Sequence, residues 1–451
     1  MEDVTDVNSS GVLPGRLPLP VLQENFLDAI PPLTVRQAAT EAERCLYCFD
    51  APCVTACPTA IDIPTFIQRI AQDNLRGAAE SILSANPLGG TCARACPTET
   101  LCEQACVRCA ADQAPVAIGQ LQRYATDAFF SQAEVPPLFM RKPATGRQIA
   151  VVGAGPAGLS VSHYLARLGH QVELFDSRAK LGGLNEYGLA AYKMTGDFAS
   201  REVGWLLSIG GIAARCNHRL GRDFSLSQLV AEYDAVFLGL GLQAVKPLVL
   251  AGEDAGPVMD AVDFIAELRQ AERLDQIAVG RSVVIVGGGM TAVDAAVQCR
   301  KLGAREVTIL YRRGPSQLSA SLEEQRWAQI NGVNIRCWAS PKSLLAEQGQ
   351  LHAVRCAVTA ERGGQLVETG EYFELAADLL IKAVGQQLGP DDLEGLVLQD
   401  GRILTDFEGR TSHPRVWAGG DCRFGSRDLT VEAVEHGKRA AFAIDAYLMG
   451  A

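Results

Sequence analysis

Histidine is scarce in this chain, with six in 451 residues. His163, His170, His218, His352, His413 and His436 are dispersed and form no nucleophile–base constellation, so each is expected to be structural. Positive charge is also short: 41 Lys and Arg stand against 52 Asp and Glu, for a net charge of −11. That argues against a nucleic-acid partner, which would favour a basic face. No stretch approaches the ~18 consecutive apolar residues of a membrane span. The opening Met-Glu-Asp-Val-Thr-Asp is acidic and lacks an apolar core region, so no secretory signal is expected there, and a cytoplasmic location is. Aromatic residues make up only 6%, but 48% hydrophobic and 21% charged content argue against disorder. This length implies about two to four domains.

Cysteine, by contrast, is dense. Nine of fourteen lie between Cys45 and Cys109, as Cys45-x2-Cys48-x4-Cys53-x3-Cys57-Pro58 and Cys92-x3-Cys96-Pro97-x4-Cys102-x3-Cys106-x2-Cys109. They contain a near-repeat, Cys53-Val-Thr-Ala-Cys57-Pro-Thr and Cys92-Ala-Arg-Ala-Cys96-Pro-Thr. In a reducing compartment such clustering suggests metal ligation or redox chemistry, and disulfides are not expected. Close cysteines ending in Cys-Pro resemble iron–sulfur ligand runs, in which the last cysteine often serves a second cluster. Structural zinc is the alternative, but it usually takes C-x2-C pairs or histidines. Here only Cys45/Cys48 and Cys106/Cys109 have that spacing and no histidine intervenes, so two 4Fe-4S clusters fit better. Cys216, Cys299, Cys337, Cys356 and Cys422 are scattered and read as ordinary buried thiols.

Residues 1–33 are rich in proline and small residues without sustained periodicity, and read as an extended lead-in arm. From about Thr34 to Phe130, short helices joined by the cysteine turns are predicted. Asp62-Ile-Pro64 fits a helix start, followed by an apolar stripe of Phe66, Ile67 and Ile70. Apolar runs there are short, so the core is thin and clusters would supply the missing cross-links. Residues 131–147, with Pro136-Pro137, Pro143 and Gly146, read as a linker. Buried-type strands are predicted at Ile149–Val152, Val172–Phe175, Ala235–Leu238, Val283–Val286, Val307–Leu310 and Leu379–Val384. They alternate with helices, which implies parallel sheets. Val416–Tyr447 reads as a strand, a glycine turn and a long closing helix.

Two nucleotide fingerprints sit among these strands. The first is Gly153-Ala154-Gly155-Pro156-Ala157-Gly158. Its first glycine makes the tight turn, the second admits a pyrophosphate, and the third lets the helix pack on the strand. Asp176 ends the next strand 23 residues after Gly153, where an acid meets a ribose. With Gly182-Gly183-Leu184 and the later Gly419-Gly420-Asp421, this set reads as a flavin site; alone, Asp421 reads as a turn residue. The second fingerprint is Gly287-Gly288-Gly289-Met290-Thr291-Ala292, with alanine allowed at the third place. Its following strand leads into Tyr311-Arg312-Arg313, with two arginines and no acid. Arginine pairs bidentately with a 2′-phosphate, which favours NADPH over NADH; the alternative is a solvated loop. A hydride donor delivers two electrons, a cluster takes one, and a flavin handles both, so the three form a natural series.

Arg44-Cys-Leu-Tyr-Cys48, Asp50-Ala-Pro-Cys53, Asn86-Pro-Leu-Gly89, Cys92-Ala-Arg-Ala-Cys96-Pro-Thr98 and Ile118-Gly-Gln-Leu-Gln122 carry a resemblance. The chain from about Asn25 resembles the electron-input subunits of bacterial dihydropyrimidine dehydrogenase and the N-terminal half of the long eukaryotic enzyme. More distantly, it is similar to the small subunit of glutamate synthase. The resemblance implies one cluster on Cys45, Cys48, Cys53 and Cys106, and another on Cys57, Cys96, Cys102 and Gln122. Cys92 is then a retained non-ligand and Cys109 an extra. Without the resemblance, Gln122 reads as a polar residue on a helix face. The resemblance also implies FAD contacts at Gly153, Ala154, Gly155, Pro156, Ala157, Gly158, Asp176, Gly183, Leu184, Lys193, Gly420, Asp421 and Thr430. Nicotinamide nucleotide contacts are implied at Gly288, Gly289, Met290, Thr291, Arg312, Arg313, Ala383, Val384 and Gly385. Two positions depart from the relatives: Lys193, where they often have arginine, and Ser319, where the NADPH-using eukaryotic form has arginine.

The expectation is a multidomain chain. An α-helical iron–sulfur domain (1–140) precedes two α/β Rossmann-like domains of the FAD/NAD(P)-disulfide-reductase type. The FAD domain is split, 147–257 and 376–451, around an inserted NAD(P)H domain, 258–375. Electrons from NADPH, or NADH, would pass through FAD and two 4Fe-4S clusters. No (β/α)8 segment fits in the chain, so the resemblance implies a separate FMN-binding catalytic subunit that reduces uracil or thymine, in a heterotetramer. One alternative is the small subunit of NADPH-dependent glutamate synthase, a family that tends to have an acid at the place of Gln122. The other is a non-catalytic module whose clusters brace an interface.

Overall fold

The computed structural model describes residues 11–112, 114–132, 134–135, 137–389 and 393–450; Pro136 of the linker and the first ten residues of the lead-in arm lie outside them. The chain divides into two compact units. Of the described residues, one unit holds 30–186, 193–244 and 387–450, and the other holds 11–29, 187–192 and 245–386.

The first unit begins with short helices. Thr34 starts Val35–Glu43 with a reciprocal capping box to Gln37. Asp62 caps Ile63–Ala71 by accepting the Thr65 N–H at 3.2 Å, as the Asp-Ile-Pro signal predicts. Phe66, Ile67 and Ile70 of that helix pack with Ile82, Ile118, Leu121 and Ala125 in a small core, with Cys45, Cys53, Cys57 and Cys106 packed against it. The described residues of 131–147 form neither helix nor strand.

A five-stranded parallel sheet follows, in the order Val416–Ala418, Ala235–Leu238, Gln148–Val152, Gln171–Phe175, Ile212–Arg215. Each central strand is an apolar run because both its faces are covered. The closing helix Thr430–Met449 crosses Pro156–Arg167 at close range. Gly437 permits this, since a Cβ there would lie 2.3 Å from the Ala157 carbonyl oxygen, and Ser160 Oγ donates to the Val434 carbonyl at 2.7 Å.

The second unit has its own parallel sheet, ordered Val258–Asp260, Leu379–Lys382, Ser282–Val286, Glu306–Tyr311, Asn334–Cys337. It also carries a three-stranded antiparallel sheet of Ala339–Glu347, Gln350–Arg362 and Gln365–Ala376 that the sequence analysis does not anticipate. The lead-in segment differs from the extended arm predicted for it. It forms the helix Leu19–Asn25, and Leu22 and Phe26 enter the core of this second unit. Leucine and phenylalanine four residues apart share one helical face, and burying that pair outweighs the proline-rich start. The scattered cysteines also divide. Cys299, Cys356 and Cys422 are buried as predicted, whereas Cys216 and Cys337 are half-buried because each follows or ends an outermost strand of its sheet. Among the described residues no helix is long and apolar enough to cross a membrane.

Candidate functional site

The thiols are gathered in two sets. Cys45, Cys48, Cys53 and Cys106 line one cavity, with Pro52, Ile63, Ile67, Val116 and Ile118 as apolar walls. Burial raises the Cys45 thiol, as do Cys48 and Cys106; burial pushes Cys53 up to about 11, helped by Cys106 and Cys45. Sulfurs that raise one another in this way are close neighbours, and a cation among them would reverse the shift. Among the described residues no three His, Cys, Asp or Glu groups converge as on a single metal ion. The four cysteines line a common cavity.

The second set holds four thiols, Cys57, Cys92, Cys96 and Cys102: Cys92, which the resemblance makes a non-ligand, is buried with Cys57 and Cys96 packed against it. Cys96 is raised by a hydrogen bond to Cys92, by burial, and then by the charges of Cys92, Cys57 and Cys102. Cys102 is raised by burial first, then by Glu103 and Cys57. Gln122, on Ile118–Phe130, is buried, and its Nε2 donates to the Gly89 carbonyl at 2.7 Å. A neutral amide offers its oxygen as the ligand atom, since the nitrogen lone pair is delocalised and its N–H groups donate, so Oε1 is the atom Gln122 could present. Cys109 lies in the short helix Val107–Asp112 and does not line the first cavity.

The first fingerprint is a tight strand–turn–helix. Gly153, at φ 95°, donates its N–H to the Phe175 carbonyl at 2.7 Å. A Cβ on Gly158 would lie 1.8 Å from the Gly153 oxygen. Gly155 precedes Pro156 and Ala157 at the start of Pro156–Arg167. Gly183 comes against Gly155, where a Cβ would be 2.6 Å from the Gly155 Cα, and the Gly182 N–H donates to the Ala154 carbonyl at 2.9 Å. Asp176 accepts the N–H groups of Ala154 at 2.7 Å and Arg178 at 2.8 Å, while burial raises its carboxyl. Gly420 packs beside Ala157 and Ala433. Burial and then the charge of Asp428 push Asp421 up to about 7. Thr430 opens the closing helix and donates to Asn185 Oδ1 at 3.1 Å, next to Leu184. These segments meet at the start of one helix, where backbone N–H groups face outward and an anionic pyrophosphate is favoured. The residues present therefore fit a dinucleotide. Lys193 is half-buried in the turn before Phe198–Leu207.

The second fingerprint repeats the design in the other unit. The Gly287 N–H donates to the Leu310 carbonyl at 3.0 Å, and a Cβ there would lie 2.4 Å from the Ala383 oxygen. The strand stops at Lys382, two residues short of the predicted end, and Ala383 just past it lies beside the turn, with Val384 and Gly385 next in the chain. Gly288 and Gly289 line a cleft with Ala292, Ile309, Leu318 and Gln325. Met290 and Thr291 begin the helix Met290–Lys301. Ser319 Oγ donates to the Gly288 carbonyl at 3.3 Å. Arg312 and Arg313 are exposed just past the strand Glu306–Tyr311.

Residues 22–134 match the family described as dihydropyrimidine dehydrogenase domain II, 4Fe-4S cluster. Residues 147–437 match the pyridine nucleotide-disulphide oxidoreductase family. The chain is 36% identical over 427 residues to a Salmonella typhi protein named NAD-dependent dihydropyrimidine dehydrogenase subunit PreT homolog, covering 94% of this chain and 98% of that one. This chain belongs to the PreT family. The wider group includes the glutamate synthase (NADPH) small chain of Escherichia coli K12, 32% identical over 458 residues and 96% of each chain. In fold it is similar to Mycobacterium tuberculosis FprA in complex with NADPH, with a TM-score of 0.57 at 19% identity over 68% of this chain and 85% of that one. Like the rest of its family, the chain is an iron–sulfur flavoprotein oxidoreductase built on the FAD/NAD(P) fold.

Glu202 is a buried acid that no motif marks in the sequence. It is fully buried on Phe198–Leu207 and receives the N–H groups of Gly90 and Thr91. The signal was present: Phe198, Glu202, Trp205 and Leu206 share one helical face, so an acid stands in an apolar stripe.

Proposed function

We propose that this chain takes electrons from NADPH, passes them through FAD and two 4Fe-4S clusters, and delivers them to a separate FMN-containing subunit. That subunit reduces uracil or thymine to the 5,6-dihydropyrimidine. The observation that carries the reading is the cavity lined by Cys45, Cys48, Cys53 and Cys106 beside a second group of packed thiols, in a chain that nearly spans a PreT relative.

In this reading Cys45, Cys48, Cys53 and Cys106 hold one cluster, and Cys57, Cys96, Cys102 and Gln122 the other. Gly153–Gly158, Asp176, Gly183, Leu184, Lys193, Gly420, Asp421 and Thr430 hold FAD. The flavin supplies the exchange between two-electron and one-electron transfer. The protein's own part is to bind and orient. The helix start at Pro156 faces the pyrophosphate, Asp176 keeps the turn in shape, and the apolar walls around the thiols keep water from the sulfurs. Gly288, Gly289, Met290, Thr291 and Ala383–Gly385 seat the nicotinamide nucleotide. The PreT relative is named NAD-dependent and the glutamate synthase chain NADPH-dependent; Arg312 and Arg313, at the ribose end of the strand, favour NADPH here. The iron–sulfur domain extends to about residue 140, with FAD bound by the segments flanking an inserted NAD(P)H domain.

Anaerobic purification from the native source tests this. An FMN subunit that co-purifies and supports uracil-dependent NADPH oxidation is the expected result. Activity only with glutamine and 2-oxoglutarate would replace the reading with glutamate synthase.

A further inference from the structure

Glu202 has no exposed surface; burial pushes its carboxyl up to about 7, against which the Thr91 hydroxyl, the Gly90 and Thr91 N–H groups and the Arg94 charge favour the ionised form. Its Oε1 accepts the Gly90 N–H at 2.7 Å, both its oxygens lie 3.2 Å from the Thr91 nitrogen, and the Thr91 hydroxyl donates to Oε2. On the far side, Gln122 Nε2 donates to the Gly89 carbonyl at 2.7 Å. The Gly89 carbonyl and the Gly90 N–H belong to one peptide group. That single amide is therefore gripped at its oxygen by Gln122 and at its nitrogen by Glu202.

The surroundings are shaped to this grip. A Cβ on Gly90 would lie 2.4 Å from the Phe198 ring and 2.9 Å from Glu202 Oε1; one on Gly89 would lie 2.4 Å from Ile82 Cγ2. Arg94, on the next turn, donates to the Gly90 carbonyl at 2.9 Å, lies 3.6 Å over the Phe198 ring and pairs with Asp127. Cys96 ends the same short helix, Gly89–Ala95.

We propose that Glu202 is a positioning residue for the second cluster, acting through the Gly89–Gly90 peptide to fix the Gln122 side chain and tune that cluster's potential. The inference rests on the reading of Gln122 as a ligand. A carboxylate on the N–H side draws the peptide toward its dipolar form, so the Gly89 carbonyl accepts more strongly. The stronger bond to Nε2 shifts charge within the Gln122 amide onto Oε1, the atom offered to iron. Outer partners of this kind orient ligands and raise their donor strength, and nearby negative charge and hydrogen bonding set cluster potentials. Glu202 thus holds the potential of one cluster low and leaves the other alone.

The test is an EPR-monitored redox titration of the anaerobically purified full chain, with Gln122→Ala in parallel. Flavin content and melting temperature serve as folding controls. Glu202→Gln is expected to keep its iron and to raise the potential of one cluster only. Should Glu202→Gln not fold, Glu202→Asp keeps the charge but withdraws it from Gly90, and a smaller rise at the same cluster is expected. Unchanged potentials, or equal shifts at both clusters, would overturn the proposal. If Gln122→Ala leaves both EPR signals intact, the ligand reading itself fails. If Gln122→Ala alters one signal while neither Glu202 variant moves that cluster, only the role of Glu202 falls.

Discussion

Asp176 accepts the backbone N–H of Ala154 at 2.7 Å, so the acid that ends one strand clamps the glycine turn that ends its neighbour. Asp176→Ala leaves the buried N–H of Ala154 without its partner. An unpaired buried donor costs about 1–3 kcal/mol, and the turn it would release lies in the dinucleotide cradle. The variant is expected to lose flavin on dialysis and to melt lower. Flavin retained at the parent's affinity would count against the cradle as drawn.

Gly158→Ala is expected to be more severe. Its Cβ would meet the Gly153 oxygen at 1.8 Å, a backbone atom that cannot swing aside. Either the helix moves off the strand or the turn opens, at a cost of several kcal/mol. Yield of soluble flavoprotein is the measurement, and a normal yield with normal flavin would show that the helix start has more room than the geometry allows.

Gln122→Ala should lower iron to about half of the parent value, since one of two clusters loses a ligand. Gln122→Cys should restore the iron and change the EPR signal, because thiolate replaces an amide oxygen. Full iron in Gln122→Ala, with an unaltered signal, would return Gln122 to an ordinary polar residue on a helix.

Arg312→Ala combined with Arg313→Ala should lower kcat/KM for NADPH about tenfold or more, the scale of one lost charge-assisted contact, and change that for NADH little. Steady-state reduction of a dye with each nucleotide measures this. A parent chain that already prefers NADH would refute the assignment.

His163 supplies a pH prediction. It is buried among Phe139, Tyr164 and Trp205, bonds to the Leu206 carbonyl at 3.1 Å, and is held neutral, with burial lowering it to about 4 from 6.5. A histidine depressed in the fold contributes stability that is complete above its unfolded pKa and lost as pH falls through 6.5 toward 4. The loss reaches about 3 kcal/mol. His163→Phe gives up the Leu206 bond but should flatten that part of the profile. Equal slopes for parent and variant in chemical denaturation from pH 7 to 4.5 would show that other groups dominate.

Much of this was legible in the sequence. Ala235–Leu238 has the bounds predicted for it, and Gln148–Val152, Gln171–Phe175 and Ser282–Val286 differ by one residue, because a strand covered on both faces is an uninterrupted apolar run. Asp62 and Pro64 mark a helix start by chemistry local to three residues. The antiparallel sheet over 339–376 was not legible. Its strands mix Glu, Arg, Gln and Thr with apolar residues, and much of Gln365–Ala376 is exposed, so neither an apolar run nor a clean alternation stands out. The helix Leu19–Asn25 is short and its partner Lys301, whose carbonyl accepts from Asn25 Nδ2 at 2.9 Å, lies far along the chain, a relation that no local window contains. Glu202 and Gln122 share a difficulty of another kind. Each is a polar residue on an apolar stripe, and its meaning depends on Gly89 and Gly90, which sequence spacing does not connect to either.

The parallel sheet of the first unit is completed by Val416–Ala418, which pairs with Ala235–Leu238 although residues 245–386, the largest segment of the second unit, lie between them in the chain. On the ribosome, that strand emerges only after the inserted unit has been made. The interrupted sheet must therefore wait, four strands wide and open along the edge of Ala235–Leu238, while the intervening residues are made. Val236 and Phe237 are fully buried in the finished protein and line that provisional edge. Completion of this sheet is thus ordered by topology: its last strand to be made must join an apolar edge that the earlier four have already laid down.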